Sequence, residues 1–514
     1  ENMLFYDKTF NDKHTLGVTL LQSIQEDKRE SVNVAMENLP ADNLKYYDLG
    51  SGLVTNTIGS AMVKWNMASF MGRINYNYLG RYLLTVSARY DGSSRLADGH
   101  KWVLFPSAAL AWRINEESFM SSTSGWLDNL KLRLGFGKTG NSAVDPYQTK
   151  GTLSLIRYPF DNGGTPTIGY APNAMANSLL TWETTDQWNL GIDFGVLRGR
   201  INGTIDLYMQ NTHDLLLKRQ LPVVSGFPDV LSNVGKTRNK GIEVSINSMN
   251  INSKDFQWTT DLMLSSNKEE IVELYNGKND DIGSKWFIGQ PVNVHYDYRK
   301  VGIWQNTESD LAEMAKFAAN GTEFAPGDIK IQDVNGDYKI TDADKQILGN
   351  PRPKLIASMV NTFNYKGFDL SVFLYASFGA MLYNDIYAVE HCGRNGGVKV
   401  DYWTPNNPTN AYPRPSIDEE RPIYITSTYY EKADFLRVKT MTLGYTLPKT
   451  LTNKFLVEKL RVYFTAQNPF IFTNYTGIDP EAAKVNSAGN PETNGSGFGT
   501  PSVSSWIFGI NLTL

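Results

Sequence analysis

The sequence predicts an all-β fold: a transmembrane antiparallel β-barrel with long extracellular loops. Three observations predict it. Apolar and polar residues alternate over runs of about 10–14 residues, longer than the ~5–6 usual for soluble strands. Aromatic residues collect near the ends of these runs, where barrel strands cross the headgroup layers. Short and long connections alternate along the chain, which gives one trimmed rim and one elaborate rim.

The strands read, in order, as 3–9, 13–24, 64–78, 81–91, 102–114, 129–138, 182–195, 201–213, 238–248, 256–266, 353–364, 367–378, 433–446, 458–467 and 504–514, fifteen in all. In the third, Ala68, Phe70, Gly72, Ile74, Tyr76 and Tyr78 share one face, against Ser69, Met71, Arg73, Asn75 and Asn77. After a tight Leu79-Gly80 turn, the fourth sets Tyr82, Leu84, Val86, Ala88 and Tyr90 against Thr85, Ser87, Arg89 and Asp91. Leu130, Leu132, Leu134 and Phe136 repeat the pattern opposite Lys131 and Arg133. So do Trp188, Leu190, Ile192 and Phe194 on the seventh strand, which also carries Asp193, and Ile205, Leu207 and Met209 on the eighth. Phe368–Phe378 and Leu460–Ala466 alternate in the same way.

Such alternation means a sheet with one apolar and one polar face. A soluble sandwich would bury the apolar face in a dry core. A membrane barrel turns it to lipid around a wet lumen. Arg and Asp at mid-strand favour the lumen, because a dry core does not accept unpaired charge. The tight connections are 10–12, 79–80, 115–128, 196–200, 249–255, 365–366 and 447–457. The long ones are 25–63, 92–101, 139–181, 214–237, 267–352, 379–432 and 468–503, and only 92–101 breaks the rule of length. If the last strand runs toward the periplasm, every tight turn falls on that side. An odd strand count does not close a bacterial barrel, so further strands are expected before Glu1. Residues 1–514 then read as one barrel portion, with two large outer loops at 267–352 and 379–432.

Composition excludes several classes. No apolar run approaches the ~18 residues of a membrane helix. Net charge is −4 and the cations are dispersed, so a nucleic-acid partner is not expected. With 41% apolar and 12% aromatic residues the chain is not disordered. One cysteine, Cys392, rules out a disulfide framework or a multi-cysteine zinc site within the chain. No nucleophile elbow or Walker loop occurs, and neither His391-Cys392 nor Glu419-Glu420 answers the requirements of a catalytic constellation. An enzyme is not expected.

A resemblance adds to this reading. The ordered stretches are Arg73-Ile-Asn-Tyr76, Tyr82-Leu-Leu-Thr-Val-Ser-Ala-Arg-Tyr-Asp-Gly-Ser-Ser-Arg95, Phe105-Pro-Ser-Ala-Ala109, Leu132-Arg-Leu-Gly-Phe-Gly-Lys-Thr-Gly-Asn141 and Trp182-Glu-Thr-Thr-Asp-Gln-Trp-Asn-Leu-Gly191. Later come Asn239-Lys-Gly-Ile-Glu243, Gly327-Asp-Ile-Lys330, Asp333-Val-Asn-Gly-Asp337 and Leu436-Arg-Val-Lys-Thr440. Together they resemble the C-terminal barrel portion of SusC/RagA-type TonB-dependent outer-membrane transporters of the Bacteroidota. The resemblance implies a 22-stranded barrel whose signal peptide, N-terminal extension, TonB box, plug and first strands lie upstream of Glu1. It implies an outer-membrane location, lipid around the wall and energy from TonB through that N-terminal part. It also implies a SusD-like surface lipoprotein as lid, with other surface glycan-binding or hydrolase lipoproteins as further partners. The implied activity is active import of a large nutrient, an oligosaccharide foremost. Oligopeptide import as in the RagA branch, a passive porin, and a structural barrel anchoring lipoproteins are the alternatives.

Candidate sites follow from the residues. Arg73, Arg89, Lys131, Arg133 and Asp193 are expected on a wet lumen wall. Trp286, Tyr402, Trp403, Tyr412 and Tyr424 fall in the long outer loops, as do Tyr429 and Tyr430. Their rings suit substrate or lid contact, or the packing of loops against each other. Asp333–Asp344 has the spacing of a calcium loop, with oxygens from Asp333, Asn335, Asp337, Thr341 and Asp344 and the Lys339 carbonyl. Tyr338 departs from it, since that position wants a glycine at positive φ. Calcium and a plain surface turn both stay open here. Thr307–Asn320 reads as a helix capped by Thr307 and stopped by Gly321. Trp506, Phe508, Ile510, Leu512 and Leu514 read as an assembly signal at the C-terminus; the resembling family usually ends in Phe rather than Leu.

Overall fold

The computed structural model describes residues 1–41, 43, 45–160, 167–384, 399–415, 422–455, 457–481 and 502–513. Fifteen strands form one antiparallel sheet. They are β1 (Asn2–Phe10), β2 (His14–Glu37), β3 (Val54–Tyr78), β4 (Tyr82–Ser93), β5 (Trp102–Arg113), β6 (Leu127–Asn141), β7 (Glu183–Val196), β8 (Ile201–His213), β9 (Lys236–Asn252), β10 (Phe256–Glu273), β11 (Leu355–Tyr365), β12 (Phe368–Phe378), β13 (Phe435–Thr446), β14 (Lys459–Thr473) and β15 (Ser505–Thr513). Each pairs with its neighbour in sequence, so the sheet is a plain meander with β1 and β15 at its edges. Every strand expected from the alternation is present. No described helix is long and apolar enough to cross a membrane.

The alternation decides which way each side chain faces. In β4, Tyr82, Leu84, Val86, Ala88 and Tyr90 are exposed, while Leu83, Thr85, Ser87 and Arg89 are half-buried. The apolar set is therefore the more exposed one, the reverse of a sheet in water. Rows of this kind cross the strands. Leu134 faces Leu190, Leu190 faces Leu207, and Leu207 faces Ile242. Their exposures run from 40% to 48%. Such a surface is costly against water, at roughly 25 cal/mol per Å²; it is the outer face of a membrane barrel, covered by lipid.

Aromatic rings mark both edges of this band. Tyr78, Tyr82 and Trp112 stack in sequence at 6.2 and 6.4 Å beside the short turns. Tyr90 and Trp102 stack at 4.9 Å at the opposite ends of their strands. The Lys366-Gly367 turn joins paired Tyr365 and Phe368 with φ of 45° and 90°. Positive φ at both positions is the type I′ geometry, whose twist matches that of the flanking strands.

The structure corrects several boundaries. The expected loop 25–63 is in large part strand: residues 26–37 of β2 pair with 54–66 of β3 and prolong the two as a ribbon. Glu26, Asp27, Lys28, Arg29 and Glu30 wet both faces there, so no alternation marks the strand. Strands β10 and β14 likewise run to Glu273 and Thr473. The loops after β6 and β8 each hold a small hairpin, Thr152–Tyr158 with Thr167–Ala174 and Leu216–Gln220 with Asp229–Asn233.

The two largest outer loops fold together. Helix α1 (Glu308–Ala319) starts where the Thr307 hydroxyl accepts the Asp310 N–H at 3.3 Å, and Gly321 at φ 90° follows it. Its own Met314 and Phe317 are buried against Trp304, which lies beneath it. Ile303, Ile329 and Ile331 from the first loop pack against Trp403, Ile425 and Tyr429 from the second. Short pairs, among them Lys300–Ile303 with Ile329–Ile331 and Met381–Tyr383 with Tyr430–Lys432, brace this small core.

Candidate functional site: the lumenal wall and the outer loops

The polar face of the sheet carries a network of charges. On adjacent strands β6 and β7, Arg133 Nη2 lies 2.8 Å from Asp193, and Lys131 reaches the same carboxylate at 3.5 Å. The guanidinium also reaches Asp206 of β8 at 3.0 Å, across the intervening β7. It can do so because Gly191 stands between them: a Cβ there would sit 2.5 Å from Arg133 Cζ. Farther along the wall, Arg89 donates to both oxygens of Asp91 at 2.8 and 2.9 Å and to Ser69 at 3.0 Å. Arg461 spans Gly444 to Asp369 in the manner of the first group. Arg73 is exposed between Thr19 and Ser87. Of the five wall residues expected from sequence, Lys131, Arg133 and Asp193 form one cluster, Arg89 belongs to a second, and Arg73 stands apart.

A buried group escaped the sequence reading. Arg437, 3% exposed, pairs with Asp479, and its Nε lies 3.0 Å from Glu481. Lys439 pairs with Glu481 as well. Arg437 and Lys439 were visible as alternate residues of the Leu436–Thr440 motif. Their partners follow some 40 residues later in a loop with no periodicity, so nothing marked them. Asp479 also accepts the Glu481 and Ser502 N–H groups, and its carboxyl is held below the usual range although burial opposes this.

The outer-loop aromatics divide by burial. Trp403 is 6% exposed and donates its indole N–H to Gln305 at 2.9 Å. Tyr429 is 1% exposed. Both are enclosed in the core that joins the loops, so the placement of Trp403 at a contact surface is corrected to packing. Tyr402 bridges Tyr412 and is 46% exposed. Tyr424 stands edge-on to Tyr298 at 4.9 Å. Trp286 lies apart, half-buried in a turn closed on Asp281. His391, Cys392, Glu419, Glu420 and Leu514 lie outside the described residues. Trp506, Phe508, Ile510 and Leu512 are all exposed on the outer face of β15.

Burial tunes several loop groups. Tyr298 and Tyr430 are pushed up, first by burial and then by hydrogen bonds to Asp342 and Asp297. Burial pushes the His295 imidazole down while its Nε2 sits 2.8 Å from the Met381 carbonyl. Lys300 donates to the Ala411 carbonyl at 2.5 Å, and burial lowers it from 10.5 to about 8. The unfolded chain therefore holds more protons than the folded one between about pH 8 and 10.5. Loop stability rises with pH across that window. Protease resistance of the loops, followed against pH, should show the rise, and Lys300→Met should flatten it.

The Asp333–Asp344 segment closes on itself. Asp333 accepts the Gly336 and Tyr338 N–H groups at 2.7 and 2.8 Å, and Asp344 accepts those of Val334 and Thr341 at 2.9 and 2.8 Å. Tyr338 takes φ 58°, the left-handed conformation that the spacing requires at this position. Asn335 and Asp337 turn toward backbone N–H groups of the loop as well. Among the described residues no three His, Cys, Asp or Glu side chains gather closely enough to hold a metal ion. The loop thus has the turn of a calcium site, with its carboxylates directed to the backbone.

Comparison with known proteins places this architecture. Residues 6–468 match the family model described as TonB dependent receptor-like, beta-barrel. TonB-dependent receptor P3 of Formosa agariphila is 32% identical over all of this chain and 52% of its own length. TonB-dependent receptor SusC of Bacteroides thetaiotaomicron is 35% identical over 81% of this chain and 41% of its own. A solved RagAB peptide transporter superposes with a TM-score of 0.81 over 99% of this chain and 54% of that one, at 23% identity, and so shares the fold. The chain spans about half the length of the curated relatives it matches. The match covers most of the fifteen-stranded meander, and the chain belongs to the TonB-dependent receptor-like β-barrel family, whose members are outer-membrane proteins.

Proposed function

We propose that this wall serves active import of an oligosaccharide across the outer membrane, driven through TonB and fed by a SusD-like surface lipoprotein. The observation that carries the reading is the interlocked pair of outer loops set above a charged inner face. A passive pore does not require aromatic loops braced by their own core. The SusC relative supports the TonB-dependent part of this reading, and the glycan part rests on the family resemblance of the sequence motifs. The RagAB likeness supports peptide import as the second reading, through the fold alone. Deleting the gene and supplying single glycans or peptides as sole carbon source tests both. Loss of growth on a glycan is expected. Loss on peptides alone would replace the first reading with the second, and unchanged use of every solute would remove import.

The proposal extends to calcium at Asp333–Asp344, on the strength of the spacing and of left-handed Tyr338. Binding would turn Asp333 and Asp337 inward and stiffen the loop. Terbium luminescence sensitised by Tyr338 should appear, be displaced by calcium and vanish in Asp333→Asn. A signal that calcium does not displace would leave the loop a plain turn.

A further inference from the structure

A cavity of about 470 Å³ opens at the outer rim, between the prolonged β2–β3 ribbon and the loops that follow β4 and β6. Trp65 and Tyr147 line it with three lysines, Lys64, Lys101 and Lys150, against one carboxylate, Asp98. The net charge of this lining is +2. A cavity of this size is of the order that takes about one or two sugar rings.

The aromatic pair is held in place. The Arg95 guanidinium stacks on Trp65 at 3.8 Å, which fixes the indole and adds a further positive charge beside the cavity. Its Nε is buried without a hydrogen-bond partner among the described residues. Tyr147 takes φ 71°, an unusual backbone conformation for a bulky residue. Its hydroxyl accepts the Lys64 N–H at 3.1 Å. The ring is 46% exposed, so its position is set by this contact rather than by burial.

The charges are only partly spent within the protein. Lys101 pairs with Asp98 at 2.5 Å, and Lys64 with Glu26 at 3.0 Å. Asp98 is held below the usual carboxylate range, mainly by Lys101 and to a smaller degree by Lys150. Lys150 itself enters no ion pair among the described residues and is exposed. An incoming carboxylate or sulfate would find Lys150 free and Lys101 able to share.

We infer that this rim cavity binds an acidic sugar, with a uronate or sulfate group on Lys150 and Lys101 and the ring against Trp65 and Tyr147. Aromatic faces meet the C–H face of a pyranose, and ammonium groups select its acid substituent. This rests on the glycan reading and narrows it to anionic chains.

The test uses the complete transporter, purified in detergent, with digalacturonate and neutral digalactose as probes in titration calorimetry. At low salt the acidic probe should bind at least ten times more tightly, and added salt should erode the difference. Lys101→Met combined with Lys150→Met should abolish the preference and leave weak neutral binding intact. Trp65→Ala should weaken both probes. Heat-modifiable gel mobility checks that each variant is folded, and the milder Trp65→Phe, which should keep binding, guards against a collapsed site. Equal affinity for the two probes, or a preference that survives the double substitution, overturns the inference. The deletion strain separates this from import: selective binding with unchanged growth sinks import alone, and lost growth without selective binding sinks the site alone.

Discussion

Leu190→Arg should cost about 2–4 kcal/mol of folding stability, because it places a guanidinium in hydrocarbon. Its neighbour Asn189→Arg should cost at most about 0.5 kcal/mol, as a surface substitution does. The two positions are adjacent in β7 and differ only in the face they present. Leu190 lies in the outer row with Leu134 and Leu207, whereas Asn189 stands opposite Gly135 and Tyr208 on the lumenal face. Heat-modifiable gel mobility and abundance in the outer membrane read the result. The leucine variant should be depleted and unfolded, the asparagine variant near normal. Comparable damage from both would mean that the faces are not in lipid and water.

The second large effect belongs to the outer loops. Trp304 is fully buried, with Phe317 at 5.9 Å, Phe324 at 5.5 Å and the Lys330 ammonium 4.0 Å from its ring. Lys330 in turn pairs with Asp310 at 3.1 Å and Glu313 at 2.5 Å on α1, so the tryptophan sits under both the helix and its charge network. Trp304→Ala should destabilise the loop core by about 3–5 kcal/mol. The strands share none of these contacts. Brief trypsin treatment of intact cells should therefore cut the variant between residues 274 and 354 while the barrel keeps its heat-modifiable mobility. Resistance equal to that of the parent would show that Trp304 does not hold the loops.

The wall was legible because a membrane writes itself into period two. Phe70, Ile74, Leu84 and Val86 had to be apolar, and Ser69, Arg73, Thr85 and Ser87 had no such demand. The ribbon beyond Gln25 was not legible, since water bathes both its faces and leaves only backbone pairing to define it. The same contrast holds at the sites. Lys131, Arg133 and Asp193 showed themselves as charges inside alternating strands, and their strands are neighbours in sequence. Asp206 became a partner only once Gly191 cleared the path for Arg133. Asp479 and Glu481 meet Arg437 through a long loop that carries no pattern. Trp403 looked like a contact residue because a tryptophan in a loop reads alike whether it packs a small core or faces a ligand. Its burial depends on Ile329 and Ile331, far away in the chain.

A cysteine scan of β4 tests the orientation of the wall most directly. Cys392 is the one cysteine of residues 1–514, so Cys392→Ser, with any cysteine in the rest of the complete protein also replaced by serine, provides the background. Single cysteines at residues 83 to 90, in the complete protein in a lipid bilayer, are then treated with a water-soluble maleimide. Labelling should alternate: positions 83, 85, 87 and 89 should react, and 84, 86, 88 and 90 should be shielded by lipid. Labelling in the opposite phase, or with no period of two, would contradict an apolar face turned to the membrane and a polar face turned to a wet lumen.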